Sequence, residues 1–227
     1  MKFSHTLYKY YKKKIFQGSI KPHKTPLKKE YQYFFIIPSY AEKLYIQHTL
    51  DSINQQHKKL LDNTLVVIVI NNSKDSSDII KKNNYATYNK IINLNYKFEF
   101  IIIDCFSKYY ALPKKNAGVG LARKIGMDYC IKFSTADSLF FSLDADTLIN
   151  RNYLKVIAHQ YNTKNFETAV INFQHQKNAN PKIQKAIIEY ERLLKDIAKN
   201  IKNSGSPYGF VSIGSAIVCT MRAYVSI

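Results

Sequence analysis

Short apolar runs alternate with longer amphipathic stretches along the 227 residues. Phe34–Ile37 is an unbroken apolar run halted by Pro38, the pattern of a buried strand and its terminal loop. Thr64–Ile70, Phe98–Ile103, Leu139–Leu143, Ala169–Phe173 and Ser215–Thr220 repeat that pattern. Between them the spacing becomes helical. Leu44, Ile46, Leu50 and Ile53 share one face, Ala122, Ile125 and Tyr129 mark a helix over 120–133, and Tyr153, Val156, Ile157 and Tyr161 mark one over 152–161. The strongest helix is 181–202, with Asn180 as N-cap, Pro181 in the first turn, and apolar positions from Ile183 to Ile201 at helical spacing. Gly205 and Pro207 end it. Strands alternating with helices predict one α/β domain with a Rossmann-like, mostly parallel sheet flanked by helices. In such sheets ligands sit beyond the carboxyl ends of the strands, so the polar residues there matter most.

Residues 1–30 read as a separate basic arm, with Pro22 and Pro26 breaking any helix past about residue 20. The compact domain then spans 31–227. The arm changes the meaning of the charge. The chain carries 34 Lys+Arg against 16 Asp+Glu, a net +18, and residues 1–29 hold half of that excess without one carboxylate. A basic surface of this size attracts nucleic acid, anionic membrane or phosphate-bearing ligands. Only Arg123, Arg151, Arg192 and Arg222 are arginines; all other cations are Lys. Base reading and bidentate phosphate clamping favour Arg, so no specific nucleic-acid partner is expected. What remains is compositional bias plus peripheral contact with an anionic membrane. No apolar run approaches the ~18 residues of a membrane span, and no secretory leader is evident. Cys105, Cys130 and Cys219 are too scattered for a CxxC pair, which fits a reduced, cytoplasmic setting.

The sharpest candidate chemistry is Leu143-Asp144-Ala145-Asp146 after an apolar strand. In extended chain, residues i and i+2 point to the same side, so both carboxylates can face one Mg²⁺ or Mn²⁺ ion. Taken alone, the pair also reads as a solvated cap before the 152–161 helix. Pro38-Ser39-Tyr40-Ala41-Glu42 offers a ring and a carboxylate to a nucleoside, or simply starts a helix. Asn116-Ala117-Gly118-Val119-Gly120-Leu121-Ala122-Arg123-Lys124 joins close-approach glycines to a helix N-terminus that attracts anions.

In this order, the three segments resemble the family 2 glycosyltransferases of the GT-A fold, over about residues 33–227. The later Gly214-Ser215-Ala216 and Tyr224 belong to the same likeness. The resemblance implies a nucleotide-diphospho-sugar donor, an acceptor that is a glycan or is lipid-linked, and transfer with inversion. It puts Pro38, Tyr40 and Glu42 at base and ribose, Arg123 beside the donor, Asp144 on ribose and diphosphate, and Asp146 with Asp144 on the metal. Where the family often has an Asp after the second strand, this chain has Asn71 and Asn72, whose amides still hydrogen-bond a base. The family's acidic catalytic pair has no counterpart: Asp196 is the last carboxylate. The expectation is therefore a domain lacking its acceptor and base segment, with His175 as the substitute base or a plain surface histidine. A non-catalytic nucleotide-sugar binder or an inactive shortened enzyme is the alternative. A nucleotidyltransferase would need a glycine-rich loop where Pro38-Ser39-Tyr40 stands.

Overall fold

The computed structural model describes residues 2–227. Among these, seven strands form one sheet: β1 (Lys21–Pro22), β2 (Tyr31–Ser39), β3 (Thr64–Asn71), β4 (Glu99–Cys105), β5 (Ser134–Ser142), β6 (Thr168–Val170) and β7 (Ile217–Thr220). Their order is β1-β4-β3-β2-β5-β7-β6. The central four run parallel, while β1 and β7 are antiparallel to their neighbours. The expected α/β architecture with a mostly parallel sheet is what the chain adopts.

Both faces of the sheet are covered, which is why β3 is buried at every position and reads as a continuous apolar run. Successive residues face opposite ways. Phe35, Ile37, Val66, Ile68 and Phe141 face α2 (Ile46–Asn54) and α6 (Tyr153–Lys164). Phe34, Ile36, Val67, Val69 and Phe140 face α5 (Val119–Cys130). Across the β2–β5 register, Phe35 stacks on Phe141 at 4.8 Å and Phe34 meets Phe140 edge-on at 5.2 Å. Gly126 lets α5 sit close to the sheet, because a Cβ there would lie 2.6 Å from Ile36 Cγ2. The free thiols of Cys105 and Cys219 are pushed up to about 12 by burial.

Residues 2–30, expected as a separate arm, are instead seated on this domain. α1 (Lys2–Lys13) packs on α8 (Met221–Ser226), and β1 pairs with β4. Phe3, Leu7 and Tyr10 form a helical stripe that is hard to see among the lysines. Beneath it, the Tyr10 and Tyr224 hydroxyls donate to Asp128 Oδ1 at 2.6 and 2.8 Å. Lys124 Nζ and the Phe16 amide donate to Oδ2, each at 2.7 Å. The buried carboxylate is thereby paired and fully hydrogen-bonded. Burial, reinforced by Asp128, raises both tyrosine pKa values.

Further differences from the sequence reading have physical causes. Helix α4 (Asp78–Ile91) escapes the periodicity test because its buried face is Asn84, Thr87 and Ile91, mostly polar. Helix α7 (Pro181–Asn203) forms as expected, with the Asn180 side chain accepting from the Lys182 amide at 3.0 Å. Its apolar face does not enter the core: Ala198 is its only buried residue among those described. The strand expected over 169–173 is shorter, Thr168–Val170, and the last one begins at Ile217. Helix α3 (Lys58–Leu61) is a single turn.

Candidate active site

The carboxyl ends of β2, β3 and β5 open into a cleft of about 600 Å³. Pro38, Tyr40, Glu42, Asn71, Arg123, Asp144 and Asp146 all line it. Parallel strands bring these residues together, since each strand ends at the same edge of the sheet. Asn71 is the last residue of β3, and the two aspartates follow β5. The start of α5 supplies the remaining wall, with Gly118 as N-cap and Val119 at the rim.

Arg123 is the electrostatic centre. Its guanidinium forms an ion pair with Asp144, and its side chain is mostly buried. Gly214 makes room for it: a Cβ at that position would lie 2.5 Å from Arg123 Nη1. Ser142 Oγ donates to the Gly214 carbonyl at 2.5 Å and fixes that strand end. Carboxylates gather opposite. Burial, and then the negative charges of Asp146 and Asp144, hold the Glu42 carboxyl above its ordinary pKa.

Buried polar atoms are normally satisfied. Two that belong to cleft-lining residues are not: Asn71 Oδ1 and Arg123 Nε. The Asn71 amide nitrogen donates to the Ala117 carbonyl at 3.3 Å, which leaves its oxygen as an acceptor. A cleft with an unpaired acceptor and an unpaired donor is suited to a polar ligand. Among the described residues no three His, Cys, Asp or Glu side chains are grouped to hold a metal ion. Two carboxylates suit Mg²⁺ or Mn²⁺, whose shells are usually completed by water and substrate phosphate. Asp144 is engaged by Arg123, whereas the Asp146 carboxylate accepts no hydrogen bond from the described residues.

Asn72 is not brought to the cleft, which corrects the expectation that it contacts a base. It is fully buried; its amide nitrogen donates to the carbonyls of Ser73 and Phe106, and its oxygen accepts from Asn84 Nδ2 at 2.8 Å. Adjacent residues leaving a strand point to opposite sides, so Asn71 and Asn72 cannot share one role. Asn84 carries no functional signature in the sequence. Its nitrogen also donates to the Asn71 carbonyl at 3.0 Å, and its oxygen accepts from the Ala41 amide at 2.9 Å. Ala41 has φ 60, a left-handed conformation that is uncommon for a residue with a Cβ. Asn84 thus holds the turn between Tyr40 and Glu42 in a strained shape. No local sequence signal marks a residue that acts on two distant loops.

His175 lies outside the cleft lining, on the segment leading to α7. Its amide donates to Glu191 Oε1 at 2.7 Å, and its ring Nδ1 is 2.9 Å from the same oxygen. The His175 backbone N–H, and then its ring, hold the Glu191 carboxyl below its ordinary pKa. The next residue reaches the cleft rim: Gln176 Nε2 donates to the Asp146 carbonyl at 2.9 Å.

The model of the family described as glycosyl transferase family 2 matches residues 34–219. No curated protein matches the chain. Among solved structures, S. aureus TarS 1–349 in complex with UDP-GlcNAc is similar at 20% identity and TM-score 0.44, over 66% of this chain and 36% of that one. The mannosyltransferase PcManGT from Pyrobaculum calidifontis, in complex with GDP-Man and Mn²⁺, is similar at 15% identity and TM-score 0.39, over 82% of this chain and 46% of that one. The chain spans less than half the length of either.

Proposed function

The chain belongs to glycosyl transferase family 2, and on that premise we propose that it binds a nucleotide-diphospho-sugar and transfers the sugar to an acceptor hydroxyl with inversion. The observation that carries this reading is the single cleft lined by Pro38, Tyr40, Glu42, Asn71, Arg123, Asp144 and Asp146. The half-exposed Tyr40 ring offers a face to the base, and Asn71 Oδ1 accepts from a base N–H. Glu42 accepts from a ribose hydroxyl. The Arg123 guanidinium and the N-terminal end of α5 attract the diphosphate. Asp146, with Asp144, would hold Mg²⁺ or Mn²⁺, which when bound supplies positive charge against the diphosphate leaving group.

Inversion needs one group to take the proton of the acceptor hydroxyl as it attacks. His175 fills that role in this reading, oriented by Glu191 and placed next to the Gln176–Asp146 contact. An imidazole works as such a base near neutral pH.

The test is titration of UDP, GDP and their sugar conjugates with Mn²⁺. Asp146→Asn should weaken metal-dependent binding by at least about tenfold, the loss of one of two carboxylate ligands, and Asp144→Asn should also release Arg123. Unchanged affinity in both variants overturns the assignment. With an acceptor in hand, His175→Asn should lower kcat while leaving donor affinity alone.

A further inference from the structure

We propose that the exposed face of α7 is the surface that seats this protein on an anionic lipid bilayer. The helix has three sides. Gln184, Ile187, Glu191, Leu194 and Ala198 turn toward the protein and are the less exposed positions. Beside them runs a second apolar stripe, Ile183, Tyr190, Leu193, Ile197 and Ile201, each 38–56% exposed. These positions follow helical spacing, so the stripe is continuous over most of the 23 residues, roughly 35 Å of helix. The third side is charged and mainly basic: Lys182, Lys185, Arg192, Lys195, Lys199 and Lys202, against Glu189 and Asp196. An amphipathic helix with large apolar residues on one side and lysines on the other lies in the plane of a membrane interface. Tyr208 and Phe210, 74% and 49% exposed, extend the apolar surface just past the helix.

Charge complementarity selects this occupant. A second copy would set the same basic side, Lys182, Lys185, Arg192, Lys195, Lys199 and Lys202 against Glu189 and Asp196, opposite itself, and self-association would work against that repulsion. An anionic headgroup layer meets the lysines while its acyl boundary receives the stripe. Helix α1 offers no aliphatic stripe: Phe3, Leu7 and Tyr10 pack inward, and its exposed side carries Tyr8 and Tyr11 among Lys9, Lys12 and Lys13. Among the described residues no helix is long and apolar enough to cross a membrane, so the contact is one of lying on the surface.

The face also borders the candidate active site. The Tyr190 ring meets the His175 ring edge-on at 5.6 Å, and Gln176 touches Asp146. A bilayer at the stripe brings the hydroxyl of a lipid-linked acceptor to the cleft rim; that consequence rests on the proposed transferase reading, whereas the docking itself does not.

Vesicle sedimentation at physiological salt tests the idea, with phosphatidylglycerol–phosphatidylcholine against pure phosphatidylcholine vesicles. Binding should need the anionic lipid. The double variant Leu193→Ser, Ile197→Ser should raise the half-binding lipid concentration at least about tenfold, since both lose buried apolar area at the interface, and replacing Lys9, Lys12 and Lys13 by Ser should raise it less. The chain has no Trp, so Leu193→Trp gives a single reporter whose emission should shift to the blue on anionic vesicles. UDP and GDP titrations with Mn²⁺ on the same proteins monitor the fold and the cleft separately. Lost vesicle binding with unchanged nucleotide binding supports the docking face. Lost vesicle binding in a chain that never binds nucleotide leaves the docking standing and sinks the transferase reading. Equal vesicle binding by the double variant, an unshifted emission from the Leu193→Trp variant, or a dimer that the double variant dissolves overturns the docking.

Discussion

Strand β5 and helix α7 are both rich in large apolar residues, yet they spend them in opposite ways. Phe140 and Phe141 of β5 are fully buried, and each meets an aromatic partner from β2. Leu193 and Ile197 of α7 are 56% and 47% exposed. The first set builds the platform on which the cleft stands. The second set contributes little to folding and remains available to another surface. Apolar content therefore separates neither role; the faces each residue meets do.

Truncation measures that difference most directly. Phe141→Ala should cost about 3–5 kcal/mol, the usual loss for a large aromatic side chain in a core. Leu193→Ala should stay within about 0.5 kcal/mol, as exposed positions generally do. Denaturant unfolding of both variants checks this, and similar losses would break the contrast. Gly126→Ala comes next, with a cost of about 1–3 kcal/mol from overpacking against Ile36 and Val69. A neutral outcome would mean that α5 can withdraw from the sheet.

The cleft itself sharpens the comparison, because its own residues are not optimised for stability. Asn84→Ala should cost about 1–3 kcal/mol by stranding the buried partners of its amide, and it should weaken nucleotide binding as the Ala41 turn relaxes. Glu42→Gln should act in the other direction. The Glu42 carboxyl is raised in the folded state, so it binds its proton more tightly there than in the unfolded chain. Its contribution is most favourable below the ordinary carboxylate pKa of 4.5 and is lost as pH rises through the folded-state value. At neutral pH the ionised group is a net cost. The Gln variant should therefore gain a small increase in Tm at neutral pH, while binding donor less well. A Tm that falls at pH 7 but not at pH 4 would contradict the sign.

Much of the cleft is legible in the sequence. Asp144 and Asp146 follow an apolar run that ends at the cleft edge, although a turn over 145–146, with the Thr147 amide donating to the Asp144 carbonyl at 3.2 Å, stands where extended chain is expected. Asn71 and Arg123 can be placed because a parallel sheet gathers its carboxyl ends. The rest depends on distant partners. Asn72 looks equivalent to Asn71 until burial separates them. Asn84 sits on a helix whose inward face is polar, so periodicity passes over it. Gly214 matters for Arg123, which lies in another segment altogether. The stripe of α1 is masked by lysines, and periodicity on α7 does not say which surface meets it.

The Tyr10–Asp128–Tyr224 cluster has a consequence for how the chain is made. Tyr10 and Tyr224 are 214 residues apart in sequence and meet at one carboxylate. During synthesis, α1 leaves the ribosome long before the helix that forms its seat. Until then Phe3, Leu7 and Tyr10 lack the part of their seat that α8 supplies, and Asp128 lacks the Tyr224 hydroxyl. Closure of this distant contact is thus a late event in biogenesis, and a nascent chain stalled before α8 would carry its first helix undocked and open to chaperones or proteases.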